Sequence, residues 1–250
     1  MLVASIYKLA ASFIREHKIK IMEELKNLYS RLLNTINLNV DTFIENKISI
    51  FNFAKGDNYD NQILIVGRSV NGWYNIHKHE VLLKQDEILN SIGNDDLNWT
   101  IDQWGDTENY NTKKSPFWRL NKKIVDFYFG EDENNFNKIG WTNLYKVSKA
   151  EGNNPSVRLC NLQLEIAKEI LKEEVRILQP KYIIFNTNFN WAYPFLKDDI
   201  NIEIKKLPEN YYVEAIGSFY ESKIIIGQHP QRKPEKEQLD EIIKYLLVRK

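Results

Sequence analysis

The chain has 250 residues, 43% hydrophobic and 27% charged, an ordinary globular balance and enough length to bury a core without covalent staples. Its 34 Lys and Arg offset 34 Asp and Glu, so no overall basic field advertises nucleic acid, and any such site must rest on local patches. Cys160 is the single cysteine, which excludes an intramolecular disulfide and an all-cysteine metal cluster and fits a reducing, cytoplasmic setting.

The N-terminal residues are mildly apolar, but Lys8 interrupts them and Arg15, Glu16 and Lys18 follow without a small-residue cleavage pattern. A helix is expected there rather than a targeting segment. No apolar run reaches the length of a membrane span, so no membrane partner is expected. Residues 3–36 carry helical spacing at Ile6, Leu9, Phe13, Ile21, Leu25, Leu28 and Leu32. Residues 1–56 are read as a helical extension packed on a main domain of residues 57–250, with the polar stretch KGDNYDN at the junction.

Ile63-Leu64-Ile65-Val66 reads as a short buried strand ending at Gly67. Residues 80–92 suit a helix, and the polar, aromatic stretch 93–114 suits a long irregular loop. Ser115-Pro116 has the chemistry to cap and open a helix. A second strand is expected over 139–145, a long amphipathic helix over 157–178 stopped by Pro180, and a third strand over 182–185. A short helix over 190–197, strands over 212–219 and 223–226, and a last helix from about Pro234 complete the chain. The expected fold is a three-layer α/β/α domain, with a mostly parallel sheet of about four to five strands. Its working edge would lie at the strands' carboxyl ends.

The segments leaving those ends, 67–73, 142–146, 186–191 and 227–233, are rich in Gly, Asn, His or aromatic residues, and four stretches of the chain carry candidate chemistry. Gly67-Arg68-Ser69-Val70-Asn71-Gly72-Trp73 is a glycine-bracketed turn, which lets backbone approach a ligand. Its glycine spacing is not that of a dinucleotide fingerprint, and taken alone it reads as a plain turn. Phe117 and Trp118 open a helix beside Lys113, Lys114, Arg119 and Lys122, as a base-stacking ring with phosphate-binding cations would, or as core aromatics with a solvated rim. Asn143 at a strand end both donates and accepts, and so can read a base edge or bond a neighbouring loop. His229-Pro230 follows a buried strand, where proline fixes the turn and preorganises the imidazole, although a lone histidine is more often structural. His77 and His79 lack a metal-ligand partner set, so no metal is expected.

In order, these segments resemble the motifs of the uracil-DNA glycosylase superfamily: a glycine-containing loop, a stacking aromatic, a base-reading polar residue and a His-Pro loop. The local likeness is fullest over residues 139–192, where WTNLYK, GNNPS, Cys160 and LQPKYIIF are similar to the iron–sulfur branch of that family. With three of the cluster cysteines missing, no cluster and no other cofactor is expected.

The resemblance implies a monomer that flips a uracil, damaged or modified base out of DNA and cleaves its N-glycosidic bond. The backbone from Gly67 through Arg68 to Gly72 would line the pocket. Phe117 or Trp118 would stack on the base, Asn143 would read its edge, and His229 would stabilise the departing anion. Ser69 and Asn71 occupy the water-positioning stretch, which holds no carboxylate; Asp102 and Asp106 are the acids available from the long loop. Lys113, Lys114, Gln231, Arg232 and Lys233 would contact DNA. The competing functions are a non-catalytic nucleic-acid reader on the same fold and an unrelated small-molecule α/β enzyme.

Overall fold

The structure, a computed structural model, describes residues 2–42, 45–152, 154–208 and 211–247, with side chains from Ile19 onward. The expected packing of Ile6, Leu9 and Phe13 therefore lies outside the described residues. In chain order the elements are α1 (Leu2–Leu38), β1 (Lys47–Ile50), β2 (Ala54–Lys55), β3 (Ile63–Ser69), β4 (Tyr74–His77), α2 (Gln85–Ser91) and α3 (Asn98–Asp102). They continue with α4 (Pro116–Phe129), β5 (Gly140–Tyr145), β6 (Val147–Lys149), α5 (Val157–Leu178), β7 (Tyr182–Asn186) and α6 (Phe189–Leu196). The chain ends with β8 (Ile202–Lys206), β9 (Val213–Phe219), β10 (Ser222–Gly227) and α7 (Glu235–Leu246). Among the described residues no helix is long and apolar enough to cross a membrane.

The main sheet has seven strands in the order β2-β5-β3-β7-β10-β9-β8, where four to five were expected. Its centre, β5-β3-β7-β10, is parallel, and β2, β9 and β8 add antiparallel edges. Burial on both faces explains the continuous apolar runs of the central strands. Leu64, Val66, Ile183 and Phe185 join one core with Leu25, Leu32, Ile170 and Leu171 of α1 and α5. Ile63, Ile65, Tyr182 and Ile184 join the other with Ile124, Val125 and Ile242 of α4 and α7. The strand period of two thus sorts neighbouring residues into opposite layers.

Local chemistry fixes the helix ends. Ser115 caps α4 by accepting from the Trp118 amide, with Pro116 in the first turn. Ser156 caps α5 in the same way, and left-handed Gln179 followed by Pro180 ends it.

Three expectations are corrected. The segment before residue 57 is α-helical only to Leu38, with a 3-10 turn at Val40–Thr42. β1 is the middle strand of a second, three-stranded sheet, β4-β1-β6, and β2 extends the main sheet. Phe51, Phe53 and Ala54 are fully buried, so this stretch is part of the core. The stretch 93–114 holds α3 and a short 3-10 turn at Thr112–Lys114. β8 is an edge strand that the sequence reading did not find.

α1 and α5 are tied to β5 by a buried polar network. Lys146 and Glu174 have no exposed side-chain surface and meet at 2.7 Å. The Thr142 hydroxyl donates to Glu174 and accepts from Lys146, both at 2.7 Å. Tyr29 of α1 donates to the other Glu174 oxygen at 3.0 Å. Burial lowers the Lys146 ammonium pKa against the opposing pull of Glu174, and burial and then Glu174 raise that of the Tyr29 hydroxyl. Lys146→Met strands the Glu174 carboxylate in the core, for an expected loss of about 3–5 kcal/mol. Adding Glu174→Gln to Lys146→Met should restore part of that loss in urea denaturation, because the amide can remain uncharged beside Tyr29 and Thr142.

Candidate functional site

Parallel strands end on a common edge, and the segments leaving β3, β5 and β10 meet there. A cleft of about 810 Å³ opens at that edge. It gathers Gly67, Arg68, Ser69, Asn71, Gly72, Phe117, Trp118, Asn143, His229 and Gln231 from the sequence-nominated residues. Lys113, Lys114, Arg232 and Lys233 are exposed and do not line it.

The floor is set by a close approach between two strands. Gly67 of β3 pairs with Asn143 of β5. A Cβ added at Gly67 would lie 2.2 Å from Asn143 Oδ1 and 3.5 Å from Phe117 Cζ. Glycine therefore leaves the space that the Asn143 amide fills. Asn143 is 2% exposed, and its Nδ2 has no hydrogen-bond partner. A buried donor left unpaired costs about 1–3 kcal/mol, a cost that a ligand acceptor would remove.

His229 is held by a different set of contacts. Its backbone N–H donates to Asn188 Oδ1 at 3.1 Å, and its Nδ1 accepts from the Gln231 amide at 3.3 Å. Asn188 sits at φ 72°, ψ 151°, a strained conformation for a non-glycine residue. Its side-chain amide also donates to Glu214 at 3.4 Å. Arg68, expected among the ligand-binding groups, is instead committed inside the protein. Its Nε donates to the Thr187 carbonyl at 2.7 Å, its guanidinium bonds Asn188 Oδ1, and it lies 5.0 Å from the Trp191 ring centroid. Burial, and after it the Arg68 charge, push the His229 pKa down to about 4. The ring is neutral at pH 7, and with Nδ1 accepting, its proton resides on Nε2. The site thus holds a neutral imidazole donor.

No family model matches this chain, and no curated protein is measurably similar to it.

Aromatic rings form one side of the cleft. Trp118 makes edge contacts with Trp99 at 5.3 Å, Phe117 at 5.2 Å and Trp141 at 5.0 Å. Trp118 lines the cleft as a packed ring at 3% exposure, and Phe117, its half-buried neighbour, is the more exposed of the two nominated aromatics. Trp99, Gln103, Tyr110, Trp141 and Asn154 also line the cleft and were missed. Trp141 was accessible in principle, since it lies two residues before Asn143 and so shares its strand face.

The expected cationic rim is partly neutralised. Arg119 pairs with Glu235 and holds the carbonyls of Lys113 and Lys114, and Lys122 pairs with Asp126 at 2.6 Å. Among the described residues no carboxylate lines the cleft. Asp102 is exposed outside it, and Asp106 caps a turn by accepting from the Glu108 amide at 2.7 Å. Among the described residues no cluster of three His, Cys, Asp or Glu is arranged for a metal ion.

Two outcomes follow from this geometry. Gly67→Ala should preserve the fold but displace the Asn143 amide, weakening ligand binding about tenfold or more; melting temperature and ligand titration on one preparation separate the two effects. Folded His229 resists the proton that the unfolded chain accepts near ~6.5. Its contribution to stability is therefore complete above that pH and is lost as pH falls towards about 4. Denaturation midpoints measured across this window should slope in the wild type and flatten in His229→Gln.

Proposed function

We propose that the chain is a DNA glycosylase-like protein on a uracil-DNA glycosylase-like α/β fold, acting on a base flipped into the cleft. The observation that carries this reading is the meeting of Asn143's unpartnered amide, the Phe117 ring and the neutral His229 in one cavity. The first supplies edge recognition and the second a stacking surface. The third supplies a hydrogen-bond donor for charge that develops on a leaving base. The four ordered motifs that resemble the superfamily point the same way.

In the proposed reaction the C1′–N bond breaks heterolytically and its electron pair goes to the base. His229 Nε2–H donates to the base anion without transferring its charge to the site. Positive charge grows on the sugar, where DNA phosphates favour it; water then adds to the sugar carbon, and the proton it releases neutralises the base anion. With no carboxylate lining the cleft, water activation contributes little and leaving-group stabilisation carries the rate. Ser69 and Asn71, polar side chains that line the cleft, are the proposed holders of that water. Lys113, Lys114, Arg232 and Lys233 at the rim contact phosphate. The lack of a lining carboxylate is also what favours the second reading, a nucleic-acid reader that binds a base without cleaving it.

Single-turnover release of base from oligonucleotides carrying uracil and other modified bases decides between the two. His229→Ala should slow release by roughly 100- to 1,000-fold, the usual worth of a donor aimed at developing charge. Affinity should change little, because the phosphate contacts remain. Release at the wild-type rate by folded His229→Ala would remove His229 from the chemistry. Binding without release from any oligonucleotide would leave the reader.

A further inference from the structure

The cleft is larger than the ring that the proposed reading puts in it. At ~30 Å³ per molecule, its 810 Å³ equals about 27 waters, whereas a pyrimidine is a single six-membered ring. Trp73, Trp99, Gln103 and Tyr110 line the same cavity, next to Trp141 on β5. A base held by Phe117, Asn143 and His229 leaves this aromatic end empty.

The chemistry of that end is one-sided. The indole Nε1–H groups of Trp99 and Trp141 are buried without an acceptor, like Asn143 Nδ2, and Trp141 is only 8% exposed. Gln103 adds an amide. The two unpartnered indole donors of this end call for ligand oxygens. Arg68 is the one Lys or Arg among the described lining residues, and it is bound to Thr187 and Asn188. A charged substituent would lose its hydration there with no counterion to replace it. The flat faces of Trp73, Trp99 and Tyr110 favour an apolar or C–H-rich surface.

We infer that the aromatic end of the cleft is a subsite for a bulky, neutral, hydroxylated substituent on the base, so that the substrate is an enlarged modified base. This rests on the base-reading assignment of Asn143 and names the substrate class of the same site.

Four cleft tryptophans make intrinsic fluorescence the readout. The probes are short single-stranded oligonucleotides with one central pyrimidine, unsubstituted or carrying at C5 a bulky polyhydroxylated group, a hydrocarbon of equal size, or a carboxylate. The hydroxylated base should bind at least tenfold more tightly than the unsubstituted one, and the hydrocarbon and carboxylate should show no such gain. Trp99→Phe keeps a ring but removes the N–H. It should weaken the hydroxylated probe about five- to tenfold and leave the unsubstituted one unchanged. Asn143→Ala should weaken both. Equal affinity for all four probes, or an effect of Trp99→Phe that does not depend on the substituent, overturns the subsite while a response to Asn143→Ala leaves base reading intact. Affinity set by oligonucleotide length alone assigns the aromatic end to neighbouring nucleotides and also overturns it. A silent Asn143→Ala in a folded protein removes the base reading, and the subsite with it.

Discussion

The approach of Asn143 to Gly67 across the β3–β5 ladder is the constraint on which the cleft depends. Parallel register places the two residues opposite each other, and the missing Cβ lets the amide lie over the neighbouring strand. β5 divides its duties by the strand period of two. Trp141 and Asn143 face the cleft, while Thr142 and Lys146 turn to the other layer and are fixed by Glu174 and, through it, Tyr29. A polar amide can stay unpaired at the floor because the strand beneath it is anchored on its other face. The long N-terminal helix thus contributes to the site at a distance, by holding the strand that presents Asn143.

Electrostatics at the opposite end follow from a second commitment. Arg68, near the end of β3, bonds the segment after β7, where strained Asn188 receives it together with the His229 backbone. This arrangement spends the one lining cation on positioning. It also keeps His229 neutral through burial and a nearby positive charge. A neutral ring avoids the cost of burying an imidazolium beside Arg68, and it still offers an N–H donor whose hydrogen bond strengthens as negative charge develops on an acceptor, which is the condition for accelerating a reaction.

Much of this arrangement was legible in the sequence. The four central strands are apolar runs bounded by turn residues, and α5 shows its period, its Ser156 cap and its Pro180 stop. Knowing that parallel strands share a carboxyl edge was enough to bring Gly67, Asn143 and His229 into one region. What escaped detection depends on contacts remote in sequence. β1 and β2 are short, and they are strands because β4, β6 and β5 pair with them. β8 alternates Ile with Glu and Lys at an edge and resembles a charged loop. Trp99 and Tyr110 lie in a stretch without period, and they join the cleft because long-range packing places them there. The choice between Phe117 and Trp118 was open to helix phase, since Trp118, Asn121 and Val125 share the buried face of α4.

Charge bears on how such a cleft would select what it binds. The chain is neutral overall, and Arg119, Lys122 and Lys123 near the cleft are matched by Glu235 and Asp126. Lys113, Lys114, Arg232 and Lys233 remain exposed, so in the proposed reading these four cations carry the phosphate contacts, and the sequence-independent part of DNA binding is modest. With so modest a backbone contribution, the proposed reading has the extruded base itself add binding energy. An aromatic cavity with buried unpaired donors supplies that energy only to a base that fills it, because a smaller ring leaves the donors unpaired and part of the wall uncovered. In the proposed reading, modest backbone attraction and a donor-rich cleft therefore act together: ordinary DNA is held loosely, and the base that completes the site is held tightly.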